Sequence, residues 1–236
     1  RSGNNLILRV LPGGQWGNNV TWKIQDGTLT ISGTGAIAEE GSGREYPWGP
    51  YTYNDEIRRI VVESGITHIG EYAFHDCENL TTAVIGDDVT GIGSNAFDSC
   101  TRLTDISMGS KLTSIGSEAF YECTSLPTIQ IPESVTTIEN NAFGQSALTE
   151  ITLPCNITRI GGHAFENCTK LTRIISHIPP ERLHPTGDGC FNGIPGNCIL
   201  YVPRGAKAVY ESTEGWNMFA NIVEMETAYN GIIHEE

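Results

Sequence analysis

The sequence predicts a β-rich solenoid, a fold in which short coils stack on one another and form a rod. The first observation is a repeat of 22 or 23 residues along the middle of the 236-residue chain. The second is the abundance of Thr and Ile, which favour strands, beside 27 glycines, which favour turns. Because one such repeat cannot bury its own apolar side, neighbouring repeats are expected to cover one another.

The repeat is clearest in columns of identical residues. Phenylalanines follow one another at intervals of 23, 23, 23 and 22 residues, and an alanine precedes each of them. A cysteine stands three residues after each Phe, except in the fourth unit, where Ser146 takes its place and one residue is missing. We expect these columns to line the interior, with a small methyl group beside each stacked ring. The Phe column comprises Phe74, Phe97, Phe120, Phe143 and Phe165.

Each unit is predicted to contain a strand, a shorter extended segment, a turn and a single helical turn. Residues 148–153 show the apolar alternation of a strand, and residues 157–160 form the shorter extended segment. The A-F-x-x-C segment is too short for a stable helix but suits one helical turn. About six coils of 22–23 residues are therefore expected, with short parallel strands that pair between neighbouring coils.

Both ends of the rod are expected to be capped, because a terminal coil would otherwise expose apolar surface and strand edges. Alternating apolar residues on either side of Asp26-Gly27 predict a β-hairpin at the N-terminal end. Trp48, Tyr51 and Tyr53 are expected to pack over the first coil. Three parts of one continuous solenoid domain are assigned: an N-terminal cap at 1–56, the repeats at 57–203 with an irregular insertion at about 177–197, and a C-terminal cap and tail at 204–236.

The charge and hydropathy of the chain exclude several classes of function. Its formal net charge is −14, from 14 Lys and Arg against 28 Asp and Glu. Nucleic-acid binding needs clustered basic residues that neutralise phosphates, so no nucleic-acid partner is expected. The apolar runs are only a few residues long, so no transmembrane segment is expected in this chain. No signal peptide or anchor is recognised in the sequence, because residues 1–5 do not open an apolar segment of the required length.

The repeat resembles a known family. The segments I-G-S-N-A-F-D-S-C-T-R-L-T (92–104), I-G-S-E-A-F-Y-E-C-T-S-L (115–126) and I-P-E-S-V-T-T-I (131–138) resemble the BspA-like, or Treponema pallidum-type, leucine-rich repeats. The resemblance covers residues 57–176 clearly. It implies a leucine-rich-repeat solenoid of the right-handed β-α superhelix type.

The resemblance also implies a function. Family members are typically secreted or surface-displayed bacterial proteins, and some are implicated in adhesion. We therefore expect a non-catalytic extracytoplasmic module that binds a host or cell-surface protein. A structural spacer that displays other domains and a glycan-binding accessory module stay open as alternatives, as do the identity of the ligand and the oligomeric state. A hydrolase that uses residues 177–198 is the least favoured alternative, because the sequence contains no catalytic constellation.

The chemistry-bearing residues favour structural roles, so no cofactor, catalytic or metal site is assigned. Cysteines at equivalent repeat positions form a line, whereas the ligands of a metal ion must converge on one point. We expect them to be buried as small apolar side chains. Cys190 and Cys198 lie in the irregular C-terminal region, where a disulfide between them is an alternative to simple burial of both thiols.

The candidate binding surface is the concave face, formed by the outward positions of the strands. Its threonines and charged residues could bind a protein or a glycan. The alternative is that Thr serves strand propensity and solubility there. The candidate face comprises Arg58, Arg59, Thr82, Thr104, Asp105, Ser107, Thr128, Gln130, Thr149, Glu150, Thr152 and Arg173.

Overall fold

The chain folds as a β-solenoid of about seven turns, formed by mostly parallel strands. The computed structural model describes residues 12–17, 19–37, 46–49 and 53–226. The predicted packing of Tyr51 and the predicted tail from residue 227 onward lie outside these residues. The repeat continues beyond the six predicted coils because segments assigned to the two caps pair with their neighbours as further rungs.

The structure contains sixteen strands and one short α-helix in its described residues. The strands are β1 (Gly13–Trp16), β2 (Val20–Gln25), β3 (Thr28–Gly33), β4 (Gly35–Ile37), β5 (Arg59–Val62), β6 (Ile66–Ile69), β7 (Thr82–Ile85), β8 (Gly91–Ile92), β9 (Asp105–Ser107), β10 (Ser114–Ile115), β11 (Thr137–Ile138), β12 (Glu150–Leu153), β13 (Arg159–Ile160), β14 (Arg173–Ser176), β15 (Ile199–Val202) and β16 (Asn221–Glu224). The helix is α1 (Lys207–Ser212), and 3-10 turns lie at Asn54–Glu56 and Pro180–Arg182.

The strands form three sheets on two sides of each coil. One side holds the order β1-β2-β3-β5-β7-β9 and, further along the rod, β12-β14-β15-β16; the other holds β4-β6-β8-β10-β11-β13. The register follows the repeat, so that Arg59 pairs with Thr82 and Thr82 with Asp105. The period read from the sequence is thus the distance along the chain from one rung to the next.

A proline explains why the first side is divided into two sheets. In the coils on either side, Thr104 and Thr149 donate their backbone N–H groups to carbonyl oxygens of the preceding coil. Pro127 occupies the equivalent position and has no N–H group to donate. The segment that contains Pro127 lacks this hydrogen bond and does not form a strand. Its side chains Ile129 and Ile131 nevertheless remain buried in the core.

The interior consists of the predicted columns. The rings of Phe97, Phe120, Phe143 and Phe165 stack with centroids 5.3 to 5.5 Å apart and planes within 7° of parallel. Phe191 continues the column at 5.5 Å from Phe165. The alanine that precedes each Phe is also buried, as are the leucine and isoleucine columns. The expectation that the repeats cover one another through stacked apolar columns is confirmed.

The A-F-x-x-C segment is not the single helical turn that the sequence predicts. The residue before Ala and the residue before Cys have left-handed backbone conformations, with φ of 57° at Tyr72 and 58° at Asp76. The same two positions are left-handed in the later coils, for example at Glu118 and Glu122. A right-handed helical turn would direct these N–H groups along its own axis. Here they donate hydrogen bonds to the following coil.

These inter-coil hydrogen bonds form a third set, which we call the turn ladder. In each coil three alternate N–H groups donate to carbonyl oxygens of the following coil, as Phe74 does to Ala96 at 2.8 Å. The donors of the five successive coils are residues 72, 74 and 76, then 95, 97 and 99, then 118, 120 and 122, then 141, 143 and 145, then 163, 165 and 167.

The N-terminal end is closed by a hairpin and by aromatic residues. The predicted hairpin is present: β2 and β3 are antiparallel and joined by Asp26 and Gly27, whose φ angles are 49° and 74°. Trp48 is fully buried against Phe74, at 6.4 Å between ring centroids. Its Nε1–H donates to Ala73 O at 2.8 Å. The side chain thus supplies the donor that a preceding coil would have provided to the turn ladder.

The C-terminal end is closed by different residues. After the 3-10 turn of the insertion, Gly187 rejoins the solenoid by donating its N–H to Ile160 O at 2.9 Å. Trp216 is buried against Phe191, at 5.4 Å between ring centroids. Tyr210, on α1, is buried as well, and its hydroxyl donates to Ile178 O at 2.8 Å.

Candidate functional site

The candidate residues lie on what we call the strand face, the outward side of β5, β7, β9, β12 and β14. One row of this face contains Arg59, Thr82 and Asp105 in register, and Glu150 beside Arg173 further along the rod. The next outward row, two residues later on each strand, contains Val61, Val84, Ser107, Thr152 and Ile175. The sequence thus places the strand residues of the candidate set on one surface.

The remaining candidates lie beside these rows or between the two sheets. Thr128 and Gln130 are exposed on the coil that lacks a strand. Thr104 and Thr149 precede their strands, and their hydroxyls donate to carbonyl oxygens of the preceding coil, each at 3.1 Å. Arg58 also precedes its strand, and its guanidinium group donates a hydrogen bond to Glu56 O at 3.1 Å. These threonine hydroxyls therefore join neighbouring coils, which is a structural role in addition to strand propensity.

The structure extends the face to residues that sequence reasoning missed. β15 and β16 add Tyr201 and Val223 to the row that contains Ile175. The guanidinium carbon of Arg173 lies 4.9 Å from the centroid of the Tyr201 ring. The missed signal was the alternation in Leu200-Tyr-Val-Pro203, which copies the repeat strand although it follows the irregular insertion.

Charges of both signs lie along the strand face and remain open to solvent. The closest pair, Glu150 and Arg173, is 3.9 Å apart, and each side chain is about half exposed. An exposed pair at this distance contributes little to stability. Both groups thus remain available to a charged partner. Arg173 also lies over the Tyr201 ring.

The aromatic residues that the structure describes at the N-terminal end do not form an open platform. At the N-terminal end Trp16, Trp22, Tyr46, Trp48 and Tyr53 pack on one another, and three of them are buried. The buried rings cover the first rung of the core, so stacking on a ligand is not their role. Tyr201 on the strand face is partly exposed.

The cysteine column is a structural element of the turn ladder. Cys77, Cys100, Cys123 and Cys168 are buried free thiols. The Cys100 thiol donates to Phe74 O of the preceding coil at 3.3 Å, and Cys123 and Cys168 make equivalent bonds. In the shorter fourth unit, the Ser146 hydroxyl lies 3.3 Å from the Cys168 sulfur. In three coils a small side chain with a polar hydrogen therefore donates to a buried carbonyl group.

The disulfide suggested between Cys190 and Cys198 is not formed in the structure, where both are free thiols. Cys190 takes the alanine position before Phe191, and its side chain is buried. Cys198 directly precedes β15, its N–H donates to Pro195 O, and its side chain is buried as well. Both thiols are thus accounted for as core residues, and their pairing remains to be tested in solution.

Thiol labelling provides that test. Burial raises the pKa of the Cys77 thiol to about 12 and that of Cys198 to about 11, so both are protonated at pH 8. Iodoacetamide at pH 8 is expected to label the half-buried Cys155 at least about a hundredfold faster than the buried thiols. Intact mass after denaturation without reductant should show seven labels. Five labels would establish a disulfide, and Cys155→Ser should abolish the fast native label.

The described residues contain little that points to other chemistry. Among them, no group of three or more His, Cys, Asp or Glu side chains is arranged to hold a metal ion. The same part of the chain has no helix of sufficient length and hydropathy to cross a membrane. The polar cleft beside the insertion is lined by Arg159, His163 and Asp188 and has a volume of about 540 Å³. Its polar groups show no nucleophile paired with a base.

Comparison with known proteins identifies the repeat. Residues 50–172 match the BspA type leucine rich repeat region, in 6 copies. The chain belongs to the BspA-type leucine-rich repeat family. Its coils, with their Phe, Ala and Cys columns, are therefore BspA-type repeats, and the resemblance inferred from the sequence is confirmed. No curated protein matches the chain.

Solved structures share the BspA-type fold. The leucine-rich repeat protein of T. pallidum is 23% identical, with a TM-score of 0.58, and the match covers 80% of each chain. A leucine-rich repeat protein from Bacteroides ovatus is also 23% identical, with a TM-score of 0.52 over 87% of this chain. The chain spans about half of that protein, 51% of its length. Identities at this level establish the fold and leave the function to be argued from the surface.

Proposed function

We propose that this BspA-type chain is a non-catalytic protein-binding module that acts outside the cytoplasm, in adhesion at a bacterial surface. The observation that carries the proposal is the strand face, whose outward rows run along the rod without a covering element among the described residues. Family membership supports the extracytoplasmic role, because the resemblance to BspA-like proteins implies secretion or surface display. The partner is then a host or cell-surface protein.

The composition of the strand face favours a protein over a glycan. Val61, Val84, Ile175 and Val223 occupy outward positions in one row, and Val223 is 43% exposed. Arg and Tyr are the residue types most often found at the centre of protein interfaces, and Arg173 and Tyr201 stand together beside this row. A spacer would require no apolar side chains in this partly exposed row, and a glycan platform would require a more exposed ring than the half-buried Tyr201.

A charge reversal on the strand face tests the proposal. Purified chain is titrated onto immobilised host matrix proteins and onto cells, and binding is expected to be saturable. Arg59→Glu and Arg173→Glu should each weaken that binding at least about tenfold, because each removes a cation from the face and introduces a repulsive charge. Lys170→Glu is the matched control, since it makes the same charge change in the exposed turn just before β14.

The outcomes separate the alternatives. Lys170→Glu should leave the affinity within about twofold of the original chain. Equal weakening by Lys170→Glu, or unchanged binding of the Arg variants, would contradict the assignment of the strand face. Binding to a glycan array in place of proteins would favour the glycan-binding alternative. A spacer should bind neither.

A further inference from the structure

The turn ladder ends differently at the two ends of the solenoid. At its N-terminal end, the first acceptors Glu71 O and Ala73 O receive bonds from Tyr46 Oη and Trp48 Nε1, at 2.9 and 2.8 Å. These two side chains replace the donors of a preceding coil. Two of the three acceptors are therefore satisfied where the ladder begins.

The row of donors is not satisfied where the ladder ends. The carbonyl oxygens of the last coil accept bonds from the coil before it, as Cys190 O does from Phe165 N–H at 2.8 Å. The next donors in the series are the N–H groups of Gly189, Phe191 and Gly193. None of the three has an acceptor among the described residues. An unpaired N–H group is costly unless water or a ligand satisfies it, so this row is ready to bind carbonyl groups.

The surroundings of this row have the character of a docking site. Gly189 and Phe191 line a cleft of about 210 Å³ together with Asn192, Gly215 and Met218. Met218 is 49% exposed, a high value for a large apolar side chain in this structure. We call these five residues, with Gly193, the end face. It combines unpaired backbone donors with exposed apolar surface, as the end of an unfinished stack would.

The spacing of the donors specifies the shape of an occupant. They lie at alternate residues, so they match carbonyl groups at alternate residues of a segment that takes the turn conformation of the preceding coils. The charge around the cleft also indicates which side chains the occupant should have. Asp188 and Glu214 also line it, and their carboxylates disfavour a free anion while favouring a basic side chain.

We propose that the end face binds a basic segment of a partner polypeptide, which adds to the turn ladder as a further rung. The segment's carbonyl oxygens accept the N–H groups of Gly189, Phe191 and Gly193. Its apolar side chains cover Met218, and its lysine or arginine residues meet Asp188 and Glu214. This site is separate from the strand face and does not depend on the function proposed there.

The experiment uses the uniformly ¹⁵N-labelled full chain and a synthetic decapeptide of alternating valine and lysine. In the free chain, the amides of Gly189, Phe191 and Gly193 should exchange with solvent at least about a hundredfold faster than those of His163, Phe165 and Asn167. Saturation with the peptide should slow exchange of the three end-face amides at least about tenfold. The same peptide with glutamate in place of lysine should not protect them.

Two matched variants locate the binding. Met218→Lys should weaken peptide binding at least about tenfold, because it removes apolar contact and repels the basic segment. Val209→Lys makes a similar change at another exposed apolar residue, on α1, which does not line the cleft, and should have little effect. Arg173→Glu on the strand face should also leave peptide binding unchanged, so failure of one proposal does not imply failure of the other.

Several results would overturn the proposal. Slow exchange of the three amides in the free chain that is relieved by truncation after residue 226 would assign the row to the chain's own terminus. Slow exchange that depends on protein concentration, with a dimer mass, would assign it to a second copy. No protection at millimolar peptide, or equal protection by the glutamate peptide, would also contradict it.

Discussion

Replacing Phe120 with alanine is expected to lower the free energy of unfolding by about 3–5 kcal/mol. Phe120 is fully buried and stacks between Phe97 and Phe143 at 5.3 and 5.5 Å. The substitution removes transfer free energy and leaves a cavity that stacked coils cannot close by collapsing, because their spacing is fixed by hydrogen bonds. The quantity to measure is the midpoint and slope of urea unfolding followed by circular dichroism.

A graded control separates the cavity from other effects. Phe120→Leu keeps part of the volume and should cost distinctly less than Phe120→Ala. Ser125→Ala, in the exposed turn of the same unit, should change the free energy of unfolding by no more than about 0.5 kcal/mol. A loss of less than about 1 kcal/mol in Phe120→Ala would show that the stacked column does not carry the stability of the rod.

Replacing Trp48 with alanine is expected to destabilise the chain by a similar amount, about 3–5 kcal/mol. The indole is fully buried over Phe74 and donates to Ala73 O, so the variant exposes the first rung and leaves a buried acceptor unpaired. Thermal unfolding and amide exchange of the first coil should both report the loss. The effect should be largest in coils near the N-terminal end, because each coil contacts only its neighbours.

Trp48→Phe isolates the hydrogen bond from the packing. It retains an aromatic ring over Phe74 but cannot donate, so we expect a loss of about 1–3 kcal/mol. If Trp48→Phe were as stable as the original chain, the donor role assigned to the indole would be wrong. If Trp48→Ala had no effect, the closure of the N-terminal end would have to be assigned to the hairpin alone.

The solenoid could be predicted from the sequence because burial and period are linear properties of the chain. Each Phe, Ala and Leu column records a contact with the same position one coil away. Pro127 likewise signals the break in the sheet, since the lack of an N–H group is a property of the residue itself. These features follow from the sequence because they depend on the chemical type of each residue, such as its size, its hydropathy or its lack of an N–H group.

The turn ladder could not be predicted, because several of its left-handed positions hold residues that rarely take that conformation. Tyr72, Glu118 and Gln145 each have a φ of 57°, where glycine or asparagine is favoured. Inter-coil hydrogen bonds outweigh the cost of about 1–3 kcal/mol that a left-handed residue incurs. The A-F-x-x-C spacing was therefore attributed to a helical turn, which uses the same number of residues.

The strand face was predicted in its regular part and missed at its end. The candidate positions between Arg59 and Arg173 follow from the repeat, whereas Tyr201 lies beyond an insertion that breaks the period. The donor role of Trp48 was also missed, because it depends on which carbonyl group lies opposite the indole. Such pairings across the ends of the stack are properties of the folded chain.

The turn ladder also gives the rod an electrical direction. In the peptide unit between Ser94 and Asn95, the carbonyl group faces the preceding coil and the N–H group faces the following one. The equivalent units are oriented alike in the other coils, so their dipoles align in columns along the axis, as they do in an α-helix. The partial positive pole lies at Gly189, Phe191 and Gly193, and the partial negative pole lies beneath Trp48. The dipole alone therefore favours head-to-tail contact between two rods over head-to-head contact.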